Sequence, residues 1–230
     1  MKKRTTKLRL GVLASGSGTN LQSIIDACAN DNIDAQIVRI ICNNPDAGAL
    51  QRAERAGIPR CCINHRVFTG RRGFDAAIIE QLQHDAVDLV VLAGFMRIVG
   101  ADFVQAFPQR IMNIHPALLP AFPGLQVQKK ALESGARFSG CTVHFVDAGV
   151  DTGPIIIQAV VPILADDTEE SLSARILEQE HRIYPLAIQL FAANALKVEG
   201  QRVIIEQAWA GADKLRAEVL LNPPYTTKTI

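Results

Sequence analysis

The hydrophobic positions change period several times along the chain, and the changes mark out its elements. Leu8 to Ala14 is a short, mostly apolar run and predicts a first strand. Leu21, Ile24, Ile25 and Cys28 then recur at helical spacing. Ala35 to Cys42 predicts a second strand. Ala47 to Ala56 predicts a second helix, with Gly57 as its C-cap and Pro59 just beyond. Arg60 to Ile63 is a short third strand. Arg71 to His84 follows as a helix with Phe74, Ile78, Ile79 and Leu82 on one face. Leu89 to Ala93 is continuously apolar, the mark of a central parallel strand buried on both sides. Val99 to Phe107 predicts a short helix, and Arg110 to His115 a fifth strand.

After this strict alternation the pattern changes. Lys129 to Ser134 closes a short helix. Gly140 to Val146 and Ile155 to Ile163 are strand-like and flank the loop Asp147 to Pro154. They predict a long-looped hairpin on the sheet edge, where Pro162 would be tolerated. Thr168 to Ala192 predicts a long helix, with Thr168 as N-cap, Glu169 and Glu170 in its first turn, and a kink or break at Pro185. Val203 to Glu206 predicts one more strand. The fold class is therefore α/β: three layers, a Rossmann-like, mostly parallel twisted sheet with an antiparallel edge in its C-terminal part. With no repeat, low-complexity segment or internal linker, residues 1–230 are expected to form one domain, with residues 1–7 and about 216–230 as loose ends.

Charge and cysteine usage narrow the function classes. The 24 Lys and Arg nearly cancel the 23 Asp and Glu, leaving a formal net charge of +1. Nothing global favours nucleic acid, so any anion site must be local. The five cysteines are odd in number and contain no C-x-x-C, which reads as reduced thiols rather than a disulfide frame or zinc site. Arg9 interrupts the first apolar stretch, so no signal peptide is read there. No apolar run is long enough to span a membrane, and a cytoplasmic location is the default expectation.

Two stretches carry candidate chemistry. The first strand ends in Ser15-Gly16-Ser17-Gly18-Thr19-Asn20 and runs into a helix. Backbone N–H groups at such a helix start favour a phosphate. A dinucleotide site would want glycine where Leu21 stands and an acid where Cys42, Asn43 and Asn44 stand. A monophosphate site and a plain tight turn both remain open. The second stretch is IMNIHPALLP, Ile111 to Pro120. Asn113 and His115 are two apart on a strand, so their side chains share a face. An amide can donate to a developing oxyanion, and an imidazole can carry a proton near neutral pH. Together they suit acyl transfer. His65 and His84 read as surface residues; His144, in TVHFV, reads as a core or site-edge residue.

Five stretches taken together resemble the phosphoribosylglycinamide formyltransferases, folate-dependent enzymes of purine synthesis: ASGSGTNLQSIIDA, VVLAGFMRIV, IMNIHPALLPAFPGL, TVHFVDAGVDTGP and EQEHRIYP. The resemblance covers about Leu8 to Leu215. It implies that fold, with 10-formyltetrahydrofolate as co-substrate and glycinamide ribonucleotide as acceptor. No metal, nucleic acid or membrane is implied, and a homodimer is left open. Asn113, His115 and Asp151 match the catalytic trio, with Asp151 holding His115. Gly18, Thr19, Asn20 and Glu180 match the ribonucleotide site. Arg71, Met96, Arg97, Ile98, Val99 and Asn113 match folate contacts, although the adjacent Arg72 competes with Arg71. Ala121-Phe122 and Gln126-Val127-Gln128 depart from the usual residues of a loop expected to be mobile, Ala121 to Lys130. The alternatives are a formyltetrahydrofolate hydrolase, the initiator-tRNA formylase and a non-catalytic nucleotide-binding module. The first two are expected to need extra N- or C-terminal domains, and the third to have lost Asn113, His115 or Asp151.

Overall fold

A computed structural model describes residues 6–206. Of the ends expected to be loose, 1–7 and about 216–230, residues 1–5 and 216–230 lie outside the described residues, while Lys7 pairs with Asp31 at 2.6 Å. β1 (Leu8–Ala14), α1 (Thr19–Ala29), β2 (Ala35–Cys42), α2 (Gly48–Arg55), β3 (Arg60–Cys62), α3 (Arg71–His84), β4 (Leu89–Leu92), α4 (Ala101–Ala106) and β5 (Ile111–His115) alternate strictly. A 3-10 turn, His65–Val67, precedes α3. Then come α5 (Val127–Glu133), β6 (Phe138–Phe145), β7 (Ile155–Pro162), α6 (Glu169–Ala192), β8 (Leu196–Glu199) and β9 (Arg202–Ile205).

All the described strands form one sheet in the order β3-β2-β1-β4-β5-β6-β7-β9-β8. The first five are parallel, and β6 turns the direction by pairing antiparallel to both β5 and β7. The β6–β7 hairpin forms as expected but does not lie at the edge. The β8–β9 hairpin, whose first strand the sequence did not announce, extends the sheet beyond it. Still, β7 meets β9 only at Ile155↔Arg202, so Pro162 lies on a stretch where β9 requires no donor.

Alternate residues of the central strands feed two cores. Leu89, Val91 and Ala93 join the side covered by α1 and α6, while Val90 and Leu92 join Phe74, Ile78 and Phe103 on the α3–α4 side. Burial on both faces explains why Leu89 to Ala93 contains no polar residue. Because β1, β4 and β5 are parallel, their C-terminal ends open at one edge of the sheet. β2 and β3 lie to one side of β1, and β4 and β5 to the other. Such a switch in strand order leaves a crevice where ligands bind.

The helix α6 closes this crevice from behind. Its N-terminus is capped as the sequence suggested: Thr168 Oγ1 accepts from Ser171 N at 3.2 Å, and Ser171 Oγ accepts from Thr168 N at 2.9 Å. The helix continues through Pro185 without a break. One residue earlier, Tyr184 is fully buried, and its hydroxyl lies 3.0 Å from the Leu92 carbonyl and 2.9 Å from the Met112 carbonyl. A single hydroxyl thus ties α6 to the ends of two adjacent strands.

Removing that hydroxyl strands two buried acceptors. Tyr184→Phe should lower unfolding free energy by about 1–3 kcal/mol without changing the fold. Urea unfolding of the two proteins measures this, and equal midpoints would refute it.

Candidate active site

The glycine turn after β1 is shaped by a close approach. Gly18 caps α1 with φ +75° and no side-chain cap. A Cβ there would lie 2.9 Å from the Ala49 backbone, so both the torsion and the space demand glycine. From below, Arg52 donates through Nε to the Ser17 carbonyl at 2.8 Å. The first N–H groups of α1, around Thr19 and Asn20, therefore stand without a protein side-chain cap, and the helix dipole adds positive potential.

Behind the turn, Asn20 Nδ2 donates to Glu180 Oε2 at 2.7 Å. Glu180 is only 6% exposed. Burial pushes its carboxyl up to about 7, while the Asn20 amide pulls the other way. Asn20 Oδ1 is buried with no partner among the described residues, an acceptor available to a ligand.

At the end of β5, Asn113 and His115 project from one face as their spacing requires. Their cross-strand neighbours on β6 are His144 and Thr142, which repeat the same spacing. His144 is 2% exposed. Its Nδ1–H donates to the Phe145 carbonyl at 2.8 Å, which leaves Nε2 as an acceptor 3.2 Å from Asn113 Nδ2. Burial holds the His144 imidazole below its ordinary range, in the neutral form this contact requires. One Asn113 N–H is thereby committed to His144, and the amide plane is fixed with its other N–H remaining.

His115 is buried between two acceptors. Its Nε2–H donates to the Phe122 carbonyl at 2.9 Å, and Nδ1 lies 3.4 Å from Asp151 Oδ2. Both ring nitrogens therefore face protein oxygens. Asp151 Oδ2 also accepts from Gly124 N at 2.9 Å, and Oδ1 lies 3.7 Å from His144 Nε2. Asp151 adopts φ +55°. Its loop is stapled by Asp147, whose Oδ1 accepts from Thr152 Oγ1 at 2.7 Å and Gly149 N at 3.0 Å. A Cβ at Gly153 would collide with the Phe145 carbonyl.

The third wall is the turn after β4. Ser15 N donates to the Gly94 carbonyl at 3.1 Å, and Met96 N donates to Ser15 Oγ at 2.8 Å. Met96 and Ile98 are 66% and 58% exposed. Apolar side chains exposed beside a polar cluster suit a flat organic ligand. Among the described residues, no group of three or more His, Cys, Asp or Glu could hold a metal ion, and no helix is long and apolar enough to cross a membrane.

Residues 8–188 match the Formyl transferase family. The chain belongs to that family. The phosphoribosylglycinamide formyltransferase of Escherichia coli (strain K12) is 43% identical over 203 residues, 85% of this chain and 96% of that protein. The trifunctional purine biosynthetic protein adenosine-3 of Drosophila melanogaster is 52% identical over 184 residues. The chain spans only 14% to 19% of the length of such trifunctional relatives. The crystal structure of glycinamide ribonucleotide transformylase 1 from Symbiobacterium toebii superposes with a TM-score of 0.87 at 54% identity, covering 88% of this chain and 96% of that one. A formyltetrahydrofolate deformylase from Pseudomonas syringae shares the fold, with a TM-score of 0.83 at 23% identity.

In this cleft Asn113, His115 and Asp151 come together, and Gly18, Thr19, Asn20 and Glu180 form a second cluster. The match to Met96, Arg97, Ile98 and Val99 divides: the first three are exposed on the turn, whereas the Val99 side chain packs into the α3–α4 core. Arg72 pairs with Asp102 at 3.1 Å and is 91% exposed, while Arg71 begins α3. The segment expected as a mobile loop from Ala121 to Lys130 is partly helical, since α5 starts at Val127, and its first half is fastened to His115 and Asp151. His65 is half-buried rather than on the surface, with its Nδ1–H on the Asn43 carbonyl at 3.0 Å. His144, read as a core or site-edge residue, is buried at the edge of the site, but its hold on Asn113 was not read, nor were the parts of Arg52 and Ser15. The T-x-H of β6 opposite the N-x-H of β5 is the signal that could have found that hold.

Glu180 makes a pH prediction. Its carboxyl rises from an ordinary 4.5 to about 7 on folding. Between those values the unfolded chain is ionised and the folded site is not, so folded stability falls as pH rises and the loss is complete above about 7. Glu180→Gln should therefore gain stability over the native protein with rising pH, by up to roughly 3 kcal/mol. Ligand-free urea unfolding across that range is the measurement, and a pH-independent difference would refute it.

Proposed function

We propose that this protein transfers the formyl group of 10-formyltetrahydrofolate to the primary amine of glycinamide ribonucleotide, giving formylglycinamide ribonucleotide and tetrahydrofolate in purine synthesis. The observation that carries the reading is the oriented amide of Asn113 beside His115 and Asp151, on the sheet edge that also presents an uncapped helix start. Relatives named for this reaction, aligned over nearly their whole length, support it. Residues 1–230 act as one formyltransferase domain in this reading, with a single sheet and its two covering layers over the described part.

Each residue then has a task. The N–H groups at Thr19 and Asn20 bind the ribonucleotide phosphate, and Glu180 with the free Asn20 Oδ1 contacts the rest of that substrate. Met96, Arg97 and Ile98 line the folate side. When the amine attacks the formyl carbon, a C–N bond forms and the carbonyl oxygen gains the negative charge. The uncommitted N–H of Asn113 meets that oxygen, and because His144 already fixes the amide, little reorganisation is needed. His115 adds positive charge and moves a proton from the attacking amine toward the folate nitrogen as the old C–N bond breaks. Asp151 holds the imidazole in place.

Incubation with both substrates should release tetrahydrofolate, read by absorbance, only when the ribonucleotide is present. Release without it would favour a hydrolase. Asn113→Ala should lower kcat by ~100-fold or more with modest changes in either KM. An unchanged kcat would remove Asn113 from the oxyanion role.

The His115–Asp151 contact gives a coupled expectation. Residues acting as one unit are non-additive. Asp151→Asn combined with His115→Ala should thus be little slower than His115→Ala alone. Steady-state rates of the four proteins decide this, and additive losses would separate the two side chains.

A further inference from the structure

One buried carboxylate takes no part in the machinery above. Asp75 lies on α3 one turn after Arg71 and is 3% exposed. Its Oδ2 accepts from Gly100 N at 2.7 Å. Gly100 ends the turn that carries Met96, Arg97, Ile98 and Val99. A Cβ built on Gly100 would lie 2.9 Å from Asp75 Oδ2 and 3.6 Å from Arg71 Nε. The Asp75 carboxylate and, farther off, the Arg71 guanidinium therefore both border the turn backbone at residue 100. The absence of a side chain at residue 100 is what lets the carboxylate approach.

An uncharged amide would accept the Gly100 bond at a smaller desolvation cost. Burial pushes the Asp75 carboxyl above its ordinary range, while the Gly100 N–H and, after it, the nearby Arg71 charge pull it back toward the ionised form. Arg72 cannot fill this role while it pairs outward with Asp102. The turn is also held at its start, through Met96 N to Ser15 Oγ. Asp75 supplies the second anchor, 25 residues away in sequence from Gly100.

We propose that Asp75 is the positioning residue of the folate side: it holds the Met96–Val99 turn through Gly100 and orients Arg71 toward the carbonyl- and carboxylate-bearing half of the folate. The inference rests on reading that turn as the folate wall. Asp75 touches no reacting atom. It acts through Arg71 and the turn backbone, so its loss should appear in folate affinity and spare the ribonucleotide.

Two variants separate its tasks. Asp75→Asn keeps an acceptor for Gly100 and removes the charge; Asp75→Ala removes both. Asp75→Asn should raise the KM for 10-formyltetrahydrofolate about fivefold, and Asp75→Ala further, with the ribonucleotide KM changed by less than about twofold. In an Arg71→Ala background the Asp75→Asn effect on folate KM should disappear. Hydrogen exchange of the Gly100 amide, measured without substrate, should speed up in Asp75→Ala but not in Asp75→Asn. An unchanged folate KM in both variants, an equal rise in both KM values, or an undiminished effect in the Arg71→Ala background overturns the proposal. The exchange measurement stands apart from turnover. A native protein that released no tetrahydrofolate would sink the proposed function, whereas unchanged Gly100 exchange in Asp75→Ala sinks the anchor itself.

Discussion

The Tyr184 hydroxyl, set between the Leu92 and Met112 carbonyls, is the contact on which the geometry of the cleft depends. It lies where β4 and β5 end and their loops depart in different directions. One helical turn before it, on the same face of α6, stands Glu180, which reaches the glycine turn after β1 through Asn20. The i, i+4 spacing of a helix thus couples the ends of three parallel strands. The apolar remainder of that face, including Ile176, Ile183 and Ile188, belongs to the core. Packing energy therefore holds the polar pair in register.

Above this frame, the reacting end is set by strand pairing. β6 is antiparallel to β5, so Asn113 faces His144 and His115 faces Thr142. Thr142 is itself saturated: its Oγ1 donates to the Ala117 carbonyl at 2.6 Å and accepts from Leu119 N at 3.1 Å and Gln158 Nε2 at 3.0 Å. The chain leaving His115 through Pro116 is consequently pinned to the neighbouring strands. A one-residue slip of β6 would turn His144 and Thr142 to the opposite face and free both Asn113 and the exit segment. Register, more than any individual contact, sets the orientation of the Asn113 amide.

Periodicity made the parallel half legible. Apolar runs and turn glycines placed β1, β2, β4 and α3 to within a residue or two, because burial on two faces leaves strong marks on composition. Thr168 was readable as a cap for the same local reason. The order of the last strands was not, since β8 and β9 are short and only partly buried, and β9 meets β7 at a single position. In the site, the i, i+2 placement of Asn113 and His115 followed from strand geometry alone, whereas Asp151, Glu180 and the folate residues came from resemblance. His144 was read only as a core or site-edge residue, and Asp75 was not read at all, because their particular tasks lie in partners 31 and 25 residues away. No local pattern records which carbonyl a buried ring nitrogen will meet. Val99 shows the reverse limit: belonging to a recognisable motif did not decide which way its side chain points.

The surroundings of His115 tie two catalytic candidates to one loop. With Nε2–H on the Phe122 carbonyl and Nδ1 3.4 Å from Asp151, both ring nitrogens face protein oxygens rather than bulk water. Phe122 belongs to the same stretch that Gly124 ties to Asp151, so one segment meets both polar partners at once. A single stretch of backbone thus fixes the direction of the ring and of the carboxylate together, so any shift of that stretch would turn both at once.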